Sequence, residues 1–364
     1  MTGVFVIAEV GVNHDGNVDR AQELVEVAAE VGADAVKFQT FAAERLVNET
    51  AAKASYQVGH SKGKTQFEML KHLELSADSH YVLSSLAAAR GIEFISTPFD
   101  LESLAFLATD IAVRRLKISS GDVTNLPLLH SAGQTGLPLI MSTGMSTIDE
   151  VELGLGAIAH GRATQAGVVT SLPNLGAFVE VMSTKESAAL LDEVTLLQCT
   201  SEYPAPDHEA NLLAMRAMAD RFSLQVGLSD HSLGIYLSLA AVALGACVVE
   251  KHLTFDIGAD GPDHRASLDV AAFREMIEAI RSIERALGSG VKVPTSQELD
   301  NAKVVRRGLY AARDLSPGDV VTESDIAILR PENEVPPSSY WDIIGSSVTH
   351  TIASGGDLKL WKSP

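Results

Sequence analysis

Eight short apolar runs, each ending in polar residues and each followed by a helix-like segment, recur along the first 288 residues of this chain. They lie at 4–11, 35–40, 92–97, 115–122, 138–144, 194–200, 225–231 and 247–252. Runs this continuous suit strands buried on both faces, as in parallel sheets covered by helices. Between the runs the spacing turns helical: Ala21, Leu24, Val25 and Ala28 share one face of a predicted helix that Gly32 ends. Ser76 and Gly91 bracket another as start and stop. Eight such alternating units predict a (β/α)8 TIM barrel. A doubly wound open sheet is the runner-up, but no Gly-rich dinucleotide turn follows the first run.

The last barrel helix is predicted over 270–287, and a Gly-Ser-Gly sequence at 288–290 marks a boundary. Residues 1–288 read as the barrel and 289–305 as a linker holding a short helix near 297–303. Residues 306–364 read as a small β-rich domain of short strand-like pieces and turns. Residues 157–192 are long for one crossover and read as an insertion around the helix after the fifth run. Cys199 and Cys247 sit in apolar runs and read as small buried hydrophobes, not a disulfide. A formal net charge of −19 argues against nucleic acid or an anionic membrane as partner. An anionic substrate would need cations gathered locally. No run reaches membrane-spanning length and no leader-like segment opens the chain, so the expected location is cytoplasmic.

In such barrels the chemistry sits at the carboxyl ends of the strands. Here those ends carry Glu9, Asn13 and His14, then Lys37 and Gln39, then Ser96 and Thr97. Lys117, Ser120 and Asp122 follow, with Ser142, Ser201 and Tyr203 after them. Strand alternation points Lys37 with Gln39, Ser229 with His231, and Glu250 with His252. A lysine inside an apolar strand is costly unless it meets an anion. Two of them among hydroxyls predict a site for a small phosphate-bearing or carboxylate-bearing molecule. His231 and His252 end consecutive runs and would face one pocket, where neutral imidazoles suit a divalent metal. Each alone reads first as a hydrogen-bonding residue at a strand end and not as a ligand. Glu9 and Asp122 are candidates to position hydroxyls or move protons.

Specific motifs carry a resemblance. Ile-Ala-Glu-Val-Gly-Val-Asn-His-Asp-Gly at 7–16, Lys-Phe-Gln-Thr at 37–40, Ser-Thr-Pro-Phe at 96–99 and Lys-Ile-Ser-Ser-Gly-Asp at 117–122 come first. Ser-Thr-Gly-Met at 142–145, Cys-Thr-Ser-Glu-Tyr-Pro at 199–204, Gly-Leu-Ser-Asp-His at 227–231 and Glu-Lys-His at 250–252 follow. In this order they resemble the sialic acid (nonulosonate) synthase family, and the tail resembles its antifreeze-like SAF domain. The resemblance implies condensation of phosphoenolpyruvate with an N-acylated mannosamine-type aldose, giving a nine-carbon 2-keto acid and phosphate. It implies that Lys37, Thr97, Lys117, Ser120, Ser142 and Ser229 surround phosphoenolpyruvate. It places a divalent metal, Mn²⁺ or else Mg²⁺ or Co²⁺, on His231 and His252. Glu9, Gln39, Tyr203 and Asp263 match sugar-contacting positions, and Arg330 matches a tail arginine that reaches the N-acyl group in a domain-swapped homodimer. Asp122 stands where the family usually has Glu, and Ser201 where some members have Asn beside phosphoenolpyruvate. N-acetylneuraminate synthase is the first expectation, N,N'-diacetyllegionaminate synthase the alternative, and pseudaminate synthase a more distant one. A Schiff-base aldolase and a non-catalytic carbohydrate-binding protein are the readings from other classes.

Overall fold

The computed structural model describes residues 3–54, 57, 59, 61 and 63–359. It divides into two compact units, Met1–Gly288 and Ser289–Pro364. The first unit begins β1 Phe5–Gly11, α1 Val18–Glu30, β2 Ala35–Thr40, α2 Ala43–Leu46, α3 Gln66–Leu73, α4 Ala77–Arg90 and β3 Glu93–Pro98. It continues α5 Leu101–Ala105, β4 Leu116–Ile118, α6 Leu126–Gln134, β5 Leu139–Ser142, α7 Ile148–Gln165, α8 Leu175–Met182 and α9 Ser187–Leu191. Then come β6 Val194–Cys199, α10 Leu213–Phe222, β7 Gln225–Asp230, α11 Tyr236–Ala243, β8 Val248–His252 and α12 Val270–Leu287. All eight strands are parallel, in the order β3-β2-β1-β8-β7-β6-β5-β4. The end strands β3 and β4 pack against each other without a hydrogen-bonded ladder, which curls the sheet into the barrel.

Strand alternation divides the side chains. Outward-facing apolar residues join the helices in the main core, where α1 contributes Ala21, Leu24, Val25 and Ala28 as its spacing predicts. Inside the barrel Ile7, Ala35, Ile95, Ile140, Leu197 and Val248 form a separate apolar plug. Two residues further along the same strands stand Glu9, Lys37, Thr97, Ser142, Cys199 and Glu250. The plug thus makes the floor on which a polar layer rests. Gly227 belongs to this floor: a Cβ there would come within 2.8 Å of Leu197 Cδ2 and closer still to the Val248 carbonyl.

Three expectations need correction. β4 is only Leu116–Ile118, because the Ser119 hydroxyl accepts from Gly121 N and turns 120–122 into a single 3-10 turn. Residues 157–165 are not insertion but the second half of α7, and the extra segment is 166–192, holding α8 and α9. A glycine-rich run makes this helix because α6 and α7 touch backbone to backbone, with Gly133 against Ile158 and Gly161 against His130. Cys247 is only half-buried and precedes β8, while Cys199 is buried as expected; both are free thiols.

The second unit holds α13 Ser296–Val305, within the predicted linker, and an antiparallel pair, β9 Gly308–Ala311 and β10 Ile326–Leu329, followed by α14 Tyr340–Ile343. Its own core gathers Leu309, Leu315, Val321, Ile343, Val348 and Ile352. Between β9 and β10, Val320 makes only an isolated bridge to Ser347. No helix among the described residues is long and apolar enough to cross a membrane.

Candidate active site

The polar layer above the plug is a cluster of buried charges. Lys37 Nζ lies 2.8 Å from Glu9 Oε2 and 3.8 Å from Glu250 Oε1. Lys117 Nζ approaches the same Glu250 oxygen at 3.7 Å and donates to Ser142 Oγ at 2.7 Å. Lys37 also donates to Thr97 Oγ1 at 3.2 Å, and Ser229 Oγ donates to Glu250 Oε1 at 3.0 Å. Two lysines and the Ser229 hydroxyl therefore converge on one carboxylate. Burial disfavours each charge, but the lysines win at Glu250 and hold its carboxyl below the ordinary range. Glu250 and Glu9 likewise hold Lys37 up against burial, whereas burial prevails at Lys117 and lowers it. Burial also prevails at Glu9, pushing it up to about 7 against the pull of Lys37.

The next turn of each strand carries the imidazoles. The ring centroids of His231 and His252 are 5.4 Å apart, and Tyr203 lies 4.0 Å from the first and 5.8 Å from the second. His231 Nδ1 is 2.7 Å from the Thr200 carbonyl, so this nitrogen donates and Nε2 carries the lone pair in the neutral ring. Burial works against charge on His231, but Cys199, the Thr200 carbonyl and Glu250 together outweigh it and leave His231 raised. Burial, with His231 and Lys37 nearby, drives His252 well below its ordinary value, so this ring is neutral. His252 Nδ1 is buried, has no hydrogen-bond partner among the described residues, and lies 3.8 Å from Asp263 Oδ2. Two imidazoles, one of them with an orphaned nitrogen, fit a divalent ion. Among the described residues no group of three His, Cys, Asp or Glu side chains is arranged around such an ion.

Both layers open into one cleft of about 460 Å³. Glu9, Lys37, Gln39, Thr97, Lys117, Ser120, Ser142, Ser201, Tyr203, Ser229, His231, His252 and Asp263 all line it. Asp122 does not: the turn after β4 carries its carboxylate away, where it accepts from Asn125 Nδ2 at 3.0 Å. Arg330 is exposed at the end of β10, in the second unit. Sequence reasoning put Glu250 on the rim but gave it no part in the site, although its spacing from His252 already set it on the lumen face. It also missed one whole wall, built from α2, α3 and Phe99. That wall comes from a stretch of mixed polarity with no period to read.

A nonulosonate synthase likeness runs through the whole chain. The NeuB family profile matches residues 24–292, and the SAF domain profile matches residues 306–356. The N,N'-diacetyllegionaminic acid synthase of Legionella pneumophila is 44% identical over 359 residues, covering 98% of this chain and 94% of the relative. The enzyme of the same name from Campylobacter jejuni is 39% identical over 350 residues, covering 96% and 97%. A crystal structure of an N-acetylneuraminic acid (sialic acid) synthetase from Leptospira borgpetersenii, in complex with citrate, superposes with a TM-score of 0.65. That protein is 29% identical, and the match covers 82% of this chain and 90% of the other. The chain belongs to the NeuB family of sialic and legionaminic acid synthases, with a SAF domain behind its barrel.

Proposed function

We propose that the cleft condenses phosphoenolpyruvate with an N-acylated mannosamine-type aldose, and that the product is a legionaminic-type acid in preference to N-acetylneuraminate. The single observation that carries the reaction is the convergence of Lys37, Lys117, Ser142 and Ser229 beside the His231–His252 pair. The preference reverses the first expectation from sequence: the 44% and 39% identical relatives are both named for N,N'-diacetyllegionaminic acid.

Lys37 and Lys117 bind the phosphate and carboxylate of the enol phosphate, which take over from Glu250 as counter-charges to the two lysines. Thr97, Ser142 and Ser229 orient those oxygens by hydrogen bonds. With the anion fixed, its methylene carbon attacks the acceptor aldehyde. The carbonyl electrons pass to oxygen, which takes a proton. Water adds to the cationic carbon left behind and loses one proton; its oxygen then forms the keto double bond and passes its second proton to phosphate, which departs by carbon–oxygen cleavage. Glu9, held near neutrality by burial, is placed to give or take one of these protons. A divalent cation, Mn²⁺ first with Mg²⁺ or Co²⁺ as alternatives, would be held by His231 and His252 and would polarise the acceptor carbonyl.

The test is phosphate release from phosphoenolpyruvate with each candidate acceptor, before and after chelation. His252→Ala should retain its fold and lose turnover together with Mn²⁺ binding measured by calorimetry. Wild-type turnover in that variant removes the imidazole assignment. Borohydride trapping of pyruvate on a lysine would instead support an aldolase.

A further inference from the structure

One side of the cleft is polar and the other is not. Leu46 and Val47 at the end of α2, Met69, Leu70 and Leu73 of α3, and Phe99 after β3 make a continuous apolar wall. Met69 and Leu73 are anchored beneath it in a small core with Val12 and Phe41, so the wall has a fixed shape. Among the described residues the only Lys or Arg lining the cleft are Lys37 and Lys117. Both stand at the strand ends, committed to Glu9 and Glu250. Gln66, at the start of α3, also lines the cleft, and its side-chain amide makes no hydrogen bond among the described residues. In the strand order β2 and β3 lie opposite β6 and β7, so this wall faces the Tyr203–His231 side across the barrel mouth.

We propose that the wall is a specificity subsite for the far end of the acceptor, with Leu70, Val47 and Gln66 as its selecting residues. It takes an aldose whose distal carbons carry a methyl group and a second N-acyl group. It disfavours one that ends in a hydroxymethyl group and excludes one that ends in a phosphate ester. This rests on the condensation proposed above, which puts the aldehyde on the histidine side and leaves the other end of the sugar to extend across the cleft. A methyl group meets leucine and valine there without loss. A hydroxyl in the same place leaves water for a surface that offers it no partner. A phosphate there would meet no Lys or Arg among the described residues of the wall. The Gln66 amide, without a hydrogen bond among the described residues, supplies the donor and acceptor that a distal acylamino group needs.

The experiment compares phosphate release from phosphoenolpyruvate with N-acetylmannosamine, its 6-phosphate, and 2,4-diacetamido-2,4,6-trideoxymannose. Wild-type kcat/KM should favour the trideoxy sugar over N-acetylmannosamine by about 10- to 100-fold, the range an apolar pocket gives against an added hydroxyl. The 6-phosphate should give no turnover. Leu70→Arg should lower kcat/KM for the trideoxy sugar and create activity with the 6-phosphate, at an unchanged KM for phosphoenolpyruvate. Val47→Arg, on a different element, should do the same and guards against misfolding of the first variant. Gln66→Leu should cut kcat/KM for the diacetamido sugar more than for N-acetylmannosamine. Wild-type rates within twofold for the two unphosphorylated sugars overturn the subsite while leaving the condensation intact. Arginine variants that melt like wild type and keep its preference do the same. Absence of phosphate release with every acceptor overturns the condensation itself, and the subsite with it.

Discussion

Lys251 Nζ lies 3.0 Å from Asp230 Oδ2, and both side chains are sealed from solvent behind the strands that carry His231 and His252. The two are register partners across β7 and β8. They alternate with the lumen residues, so they face outward into the helical layer. Lys251 also donates to the Ser232 carbonyl at 2.5 Å, and Asp230 accepts from Ser232 N, Ser232 Oγ and Ser238 Oγ. The pair therefore ties the loop after His231 to the strand before His252. Removing one partner leaves a buried charge alone, which costs about 3–5 kcal/mol. Asp230→Ala and Lys251→Met should each lose that much in urea unfolding. The double variant should lose less than the sum of the two, since only one interaction is broken. Strictly additive losses would mean that the two side chains act independently.

Lys117 is held in place by Ser142 and by its own strand's Ile118 carbonyl, at 2.7 and 3.1 Å. Its distance to Glu250 matches that of Lys37 to within 0.1 Å. If these two cations grip the enol phosphate, Lys117→Met removes a charge-assisted contact worth about 1.5–3 kcal/mol. The KM for phosphoenolpyruvate should rise at least ~10-fold by that measure, while the KM for the sugar stays within about twofold. A change confined to the sugar would reassign the cradle.

Gly161 offers a test in which two rules disagree. Helix propensity alone says that Gly161→Ala should stabilise α7 by up to about 1 kcal/mol. The contact says otherwise: a Cβ there would run into the His130 carbonyl and come within 3.0 Å of Gln134 N. Backbone cannot step aside as a side-chain tip can, so overpacking should dominate and cost about 1–3 kcal/mol. Thermal unfolding of Gly161→Ala should show a lower midpoint than wild type. A higher one would mean that α6 and α7 separate at little cost.

The barrel and its lumen were readable because strand periodicity is a local property. Ile7 with Glu9, Ala35 with Lys37, and Val248 with Glu250 announce floor and site within three residues of chain. Asp122 was misplaced in space because a local hydrogen bond from Gly121 to Ser119 ends the strand before the pattern does. Residues 157–165 read as insertion because the contact that explains them, Gly161 against the His130 backbone, lies in α6 and outside the local pattern. The apolar wall was invisible for the same kind of reason. Leu46, Leu70 and Phe99 become neighbours only after β2 and β3 have paired.

His14, in the loop that follows β1, brings the acid side of the stability curve within reach of measurement. Burial drives its imidazole from 6.5 down to about 4, and Nδ1 accepts from Gly16 N at 3.0 Å, a bond only the neutral ring can accept. The folded value lies below the unfolded one, so His14 contributes stability above pH 6.5 that disappears as the pH falls toward 4. The shift corresponds to about 3 kcal/mol at full expression. Glu9 works in the other direction: its carboxyl is raised to about 7, so its contribution is present at low pH and lost as the pH climbs through 7. Replacing His14 isolates one term from the other. His14→Asn keeps an acceptor for Gly16 and has nothing to titrate. Urea unfolding of both proteins at pH 7.5 and pH 4.5 should show wild type losing about 2–3 kcal/mol more than the variant between the two conditions. Parallel losses would mean that the His14 ring is protonated as readily in the folded barrel as in the open chain.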